Sequence, residues 1–252
     1  MSINCQRQRI KHWLLRLRFQ AIRVFCIHEV SETDENSPDW IPIVFFKEQI
    51  LQLLKDGYRF ISLKEALGHI TTDVFRYRKY AVLTADDGLR CHLELLPWLE
   101  EHKIPITLSL NVRSLSQNVC GLPYKQWYGI EDAETEKQYA ERLYISDSEL
   151  KELDYKGVSI ALHGVNHDEA ATDIPIEAFE KDVIECLEKF DSDMRYVPFF
   201  VYKYGKFNGK TDLVLKKYGL TPVLADGEKN YNDRGVIHRE IFEVIYRKCQ
   251  QK

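Results

Sequence analysis

Eight short apolar runs, separated by segments of helical character about a dozen residues long, constrain this chain more than any other feature of its sequence. The runs are Arg23–Val30, Arg59–Leu63, Tyr80–Ala85, Ile104–Asn111, Val158–Leu162, Tyr196–Tyr202, Thr221–Ala225 and Val236–Val244. Alternation of this kind is expected of parallel strands joined by crossover helices, an α/β architecture. No linker interrupts the series, which favours one barrel over two domains. Between the runs, Phe45–Asp56 is amphipathic and stops at Gly57, and Leu89–His102 reads as a second helix. Ser146 and Glu149 form a capping-box pattern, and Pro175–Phe190 and Thr211–Tyr218 supply two more helices. Residues 113–145 show no period, and long loops in compact domains are more often functional than accidental.

With 252 residues, 44% of them hydrophobic, the chain can bury a substantial core. Its 35 basic residues are interleaved with 39 acidic ones, so no broad positive surface for nucleic acid is expected. The six cysteines, Cys5, Cys26, Cys91, Cys120, Cys186 and Cys249, form neither a CxxC pair nor a regular framework. Segment 1–21 is basic, and Arg16, Arg18 and Arg23 break the apolar runs of residues 1–27 before they reach signal-peptide or membrane-spanning length. A cytoplasmic protein without a transmembrane segment is expected, with 22–252 as its single domain. A weak contact of Trp13, Leu14 and Leu17 with the inner membrane surface is the alternative use of that segment.

Two strand ends carry chemistry. Tyr80–Ala85 runs into Asp86, Asp87 and Gly88, where one carboxylate could cap the next helix and Gly88 could make the turn. Adjacent strand residues point in opposite directions, so only one of the two can cap, and the other needs a further partner. Val158–Leu162 ends in HGVNH, which sets His163 and His167 four residues apart, either as ordinary loop histidines or as a metal-binding pair. In parallel α/β proteins the carboxyl ends of the strands share one face, where active sites are built. One carboxylate and two histidines would leave positions open on a metal for water and substrate.

A strand ending in DDG, followed about seventy residues later by HxxxH at another strand end, resembles the polysaccharide deacetylases, the NodB-homology domain of carbohydrate esterase family four. FCIHEV, KEQILQLLKDGYRFISLKEAL and FFVYKYGKFN match the family's early strand, first helix and aromatic-glycine motif in order. The resemblance implies a distorted (β/α) barrel of about seven parallel strands, NodB-like. It also implies that Asp87, His163 and His167 hold one divalent metal, zinc first, with iron, cobalt or nickel also compatible. Asp86 would be the general base toward a metal-bound water, and the backbone N–H of Tyr204 would stabilise the oxyanion.

The third motif departs from the family pattern. Val201, Tyr202, Lys203, Tyr204 and Gly205 stand where Arg, Pro, Pro, Tyr and Gly are common, so the arginine that steadies the base is missing and Lys203 replaces a proline. Branches of the family without that arginine often carry a late one, which points to Arg239, and His238 beside it is the candidate general acid. Strand alternation sends these two side chains to opposite faces, so one of them is expected at the site. His28 could lie behind the site or be a core histidine, and Tyr124, Trp127 and Tyr128 could stack on sugar rings or simply pack. The implied activity is metal-dependent hydrolysis of N-acetyl groups on a glycan or glycoconjugate. Alternatives are O-acetyl esterase or other amide hydrolysis on the same scaffold, and a non-catalytic metal- or glycan-binding domain.

Overall fold

A computed structural model of the chain describes residues 22–32, 39–72, 79–115, 138, 140–167, 170–228, 230 and 235–251. Segment 1–21 and the loop aromatics Tyr124, Trp127 and Tyr128 lie outside the described residues. In chain order the strands that build the main sheet are β1 (Arg23–Ile27), β4 (Arg59–Phe60), β5 (Tyr80–Ala85), β6 (Ile106–Leu110), β7 (Val158–Leu162), β8 (Tyr196–Val201), β9 (Thr221–Leu224), β10 (Ile237–His238) and β11 (Glu240–Ile241). Two short strands, β2 (Glu29–Ser31) and β3 (Trp40–Pro42), pair separately. The main sheet runs β10-β9-β8-β7-β6-β5-β1-β11, with β4 beside β5, and every pairing in it is parallel.

The two edges of that sheet are almost joined by the chain itself. β10 pairs with β9 at one edge, β11 pairs with β1 at the other, and only Arg239 separates β10 from β11. The result is a nearly closed parallel barrel, the α/β architecture expected from the alternating runs.

Alternation along the strands sorts the side chains into two sets. Outward residues such as Phe25, Ile27, Leu83, Ala85, Leu108, Ile160, Leu162 and Phe200 join one cluster with the surrounding helices. In helix Ile176–Phe190 the buried face is Phe179, Val183, Cys186 and Phe190, a helical spacing laid against the barrel. Each such side chain contributes roughly 1.5–3 kcal/mol by leaving water. Inward residues form layers. Val24, Val82, Phe199, Val223 and Ile237 are apolar and pack with Leu63, Ala66 and Ile70 of helix Leu63–Thr72. Two residues further along the strands lie the small or polar Cys26, Thr84 and Ser109, all buried. A further step of two reaches His28, Asp86, Asn111, His163 and Lys203 at the strand carboxyl ends.

Strands β5 and β7 occupy the bounds read from their apolar runs, and the Ser146–Glu149 capping box forms at helix Asp147–Glu152. Four expectations are corrected. Arg23–Val30 breaks at His28, whose backbone N–H leaves the sheet to meet Glu243. Val236–Val244 divides into β10 and β11 and then becomes helix Phe242–Gln250, because Phe242, Ile245 and Tyr246 repeat at helical spacing despite their strand-forming types. Arg59–Leu63 shortens to Arg59–Phe60, and Leu63 opens helix Leu63–Thr72, which the runs did not anticipate. The second helix begins at Cys91 after Arg90, with no side-chain cap, so neither Asp86 nor Asp87 serves as its cap. Among the described residues, no helix is long and apolar enough to cross a membrane.

Candidate active site

The turn that follows β5 explains how two adjacent carboxylates reach one place. Asp86 continues the inward set of Val82 and Thr84, and its backbone N–H donates to the Ile27 carbonyl at 3.0 Å. Asp87 would point outward in a regular strand, but its φ of 69° is left-handed and turns it toward the barrel mouth. Gly88 follows at φ 70°, where a Cβ would also meet Leu110 Cδ2 at 3.1 Å and Ser114 Oγ at 3.2 Å. Strained backbone of this kind at a non-glycine residue persists where the surroundings hold it.

Asp87 Oδ1 lies 3.2 Å from His163 Nε2 and 3.3 Å from His167 Nε2. All three residues are buried. His163 Nδ1 lies 2.9 Å from the Val201 carbonyl, which can only accept, so Nδ1 is the donor and Nε2 is the ring nitrogen turned to Asp87. Despite their closeness, Asp87 Oδ1 and His163 Nε2 have no partner in hydrogen-bond geometry among the described residues. Burial, offset in part by Asp87, takes His167 down to about 4, so its imidazole is neutral at pH 7. Burial raises the Asp87 carboxyl, but His167 and His163 outweigh it and hold it well below the usual range. A carboxylate oxygen and one ring nitrogen from each of two histidines thus lie within 4.8 Å of one another, a donor set that suits a divalent cation.

The HGVNH loop that carries the two histidines is strapped at every carbonyl. His163 O accepts from Asn111 Nδ2 at 2.6 Å, Gly164 O from Val112 N at 3.2 Å, and Val165 O from Arg113 N at 3.1 Å. Asn166 O accepts from Lys203 Nζ at 2.7 Å and His167 O from the Tyr204 hydroxyl at 2.8 Å. The Tyr204 ring also meets the His167 ring edge to face, with centroids 5.0 Å apart.

Asp86 faces a different set of groups. Arg239, 1% exposed, donates Nη1 to Asp86 Oδ1 at 2.7 Å and Nη2 to Oδ2 at 2.8 Å. The same guanidinium donates to Thr84 Oγ1 at 3.0 Å and to the Leu224 carbonyl at 3.3 Å. Burial works to raise the Asp86 carboxyl, but Arg239, with His163 and His28, holds it well below the carboxylate range. The Cys26 thiol, pushed well up by burial, keeps its proton and lies 3.3 Å from Asp86 Oδ2.

The sequence model of the polysaccharide deacetylases matches residues 66–223, well over half of the chain. The chain belongs to that family. Its fold agrees with those of solved structures at low identity. IcaB from Ammonifex degensii is 19% identical, with 89% of this chain and 92% of that one covered at a TM-score of 0.67. The BpsB deacetylase domain from Bordetella bronchiseptica is 17% identical, with 88% and 95% covered and a TM-score of 0.65. A de-N-acetylase from Aggregatibacter actinomycetemcomitans is 16% identical, with 87% and 94% covered and a TM-score of 0.64. No curated protein matched the chain by sequence.

In this member of the family, Arg239 and His238 part company as strand alternation requires. Arg239 turns into the barrel to Asp86, whereas His238 Nδ1 pairs with Asp226 Oδ2 at 2.7 Å. Of the two residues, Arg239 is the one that meets Asp86, while His238 is held by Asp226. His28 stands beside Asp86, with a ring nitrogen, the Cys26 sulfur and an Asp86 oxygen all within 4.8 Å of one another. Register explains the placement, because Ile27 pairs with Ala85 and so sets His28 beside Asp86. Glu243, 1% exposed, accepts from the His28 backbone N–H at 2.8 Å and lies 3.4 Å from Nδ1. Burial alone would lower His28, but Glu243 overrides it and raises it to about 10. Glu243 was missed because its segment read as strand; the period of FEVIYRKC was the available signal.

Proposed function

We propose that this chain hydrolyses N-acetyl groups on a glycan or glycoconjugate, with Asp87, His163 and His167 holding one divalent ion and Asp86 acting as general base. The observation that carries the reading is the convergence of Asp87 Oδ1 and His163 Nε2, both buried and without a hydrogen bond among the described residues, beside a second carboxylate with a separate partner. Zinc, the first candidate, would supply Lewis-acid polarisation of the acetamide carbonyl and a lower pKa for the attacking water.

The remaining steps belong to the chain's own residues. Arg239 keeps Asp86 ionised and fixes its plane through two charge-assisted hydrogen bonds. Each carboxylate oxygen has two acceptor positions. Oδ2 uses both, on Arg239 and Cys26, while Oδ1 accepts from Arg239 and keeps one for the proton of water. His28, held protonated by Glu243, is placed to deliver a proton to the departing amine. Tyr204, whose φ of 56° is left-handed, is the residue whose backbone N–H we assign to the oxyanion.

Metal content of the purified protein, combined with acetate release from a panel of N-acetyl and O-acetyl sugars, tests the reading. One bound divalent ion and acetate from N-acetyl substrates are expected. Turnover confined to O-acetyl esters would replace the amide by an ester, and metal or glycan binding without acetate release would make the domain non-catalytic.

A further inference from the structure

Lys203 occupies the position where the family commonly has proline, and it is buried, at 4% exposure. It belongs to the inward set of β8 and reaches under the HGVNH loop, where its Nζ donates to the Asn166 carbonyl at 2.7 Å. Asp182 lies on the buried face of helix Ile176–Phe190, between Phe179 and Cys186, and its Oδ1 accepts from the Val165 backbone N–H at 2.9 Å. Two opposite charges thus grip the two adjacent residues that precede His167. They also face each other across Gly164, where a Cβ would come within 2.9 Å of both Asp182 Oδ2 and Lys203 Nζ. A neutral donor could cap one carbonyl, and a buried ammonium carries a desolvation penalty of several kcal/mol. A charge at this point is therefore informative.

The geometry points to Lys203 and Asp182 as a charged clamp that positions His167, so that affinity for the divalent ion depends on the pair. The inference rests on the reading that Asp87, His163 and His167 hold that ion. Lys203 and Tyr204 tie the last two loop carbonyls to the end of β8, while Asn111, Val112 and Arg113 tie the first three to the end of β6. The loop therefore spans two strands, and loss of the Lys203 tie leaves the end that bears His167 held to β8 by Tyr204 alone. Charge adds an asymmetry. Asp182 offsets an ammonium that would otherwise repel a nearby cation, so removing Asp182 harms binding through both geometry and charge.

The test is zinc titration against a competing chelator for the wild type, Lys203→Met, Asp182→Asn and the double variant. It is read beside thermal unfolding of the metal-free proteins and the visible spectrum of the cobalt(II) forms. Each single variant should bind zinc roughly 10–100-fold more weakly, as when an outer partner of a metal ligand is lost. Asp182→Asn should be the weaker of the two, and both should show an altered cobalt spectrum. Should a single variant fail to fold, the double variant, which leaves no unpaired charge, carries the same expectation. A folded Lys203→Met or double variant with zinc affinity within about twofold of wild type would overturn the clamp alone, since losses below that lie under the outer-partner range. A wild type that binds no zinc or cobalt overturns the metal reading and the clamp with it.

Discussion

Arg239→Met removes a guanidinium that is 1% exposed and leaves the Asp86 carboxylate buried without its bidentate partner. Breaking a buried pair from one side costs about 3–5 kcal/mol, against a total stability of about 5–15 kcal/mol for a domain. The sign with pH follows from the shift. In the wild type the folded carboxyl is depressed, so its contribution is present above the ordinary value near pH 4 and is lost as pH falls through the folded value. In the variant only burial and weaker neighbours act, the carboxyl rises, and ionising it at neutral pH opposes folding. The deficit should therefore be largest at pH 7 and shrink toward pH 4. Urea unfolding of the metal-free proteins at both pH values measures it, and the acid limb of the activity profile should move to higher pH in the variant. A loss below about 1 kcal/mol at pH 7, within the range of a surface pair, with no pH trend, would refute the account of Arg239.

His28→Gln should slow acetate release from an N-acetyl sugar by about 10²–10⁴-fold, the usual weight of general acid catalysis. An activated aryl acetate, whose leaving group needs no proton, should be nearly spared, and equal losses on both substrates would exclude His28 as the acid. Because folding raises His28 to about 10 from 6.5, its stabilising share is full below pH 6.5 and disappears as pH rises through 10. Metal-free wild type should lose that margin over this window in unfolding experiments, and His28→Gln should not. Gly164→Ala places a side chain at φ 88° and within 2.9 Å of Lys203 and Asp182, so it should cost more than about 1 kcal/mol in urea unfolding. An unchanged midpoint would show that the loop can shift to accept it.

The barrel was legible because its strands are buried on both faces and so read as continuous apolar runs, as YAVLTA and VSIAL do. The Asp87–His163–His167 cluster was legible for a related reason, since Asp87 and His163 come just past the ends of such runs and His167 follows within one turn of loop. Three features were hidden. Period-two alternation places Asp87 away from Asp86, and only a left-handed turn, invisible in residue types beyond the following glycine, brings them together. Strand-forming residues concealed a helix in FEVIYRKC, and with it the carboxylate that charges His28. Lys203 stood out as a departure from the family pattern, but its partner Asp182 lies in a helix whose charged positions look alike in sequence.

The central claim is the division of labour within Asp86 and Asp87, and metal analysis of Asp86→Asn and Asp87→Asn beside their acetate release tests it most directly. Asp87→Asn should lose bound metal and turnover together. Asp86→Asn should keep its metal and still fail to release acetate. Equal loss of metal from both, or full turnover in Asp86→Asn, would contradict the account.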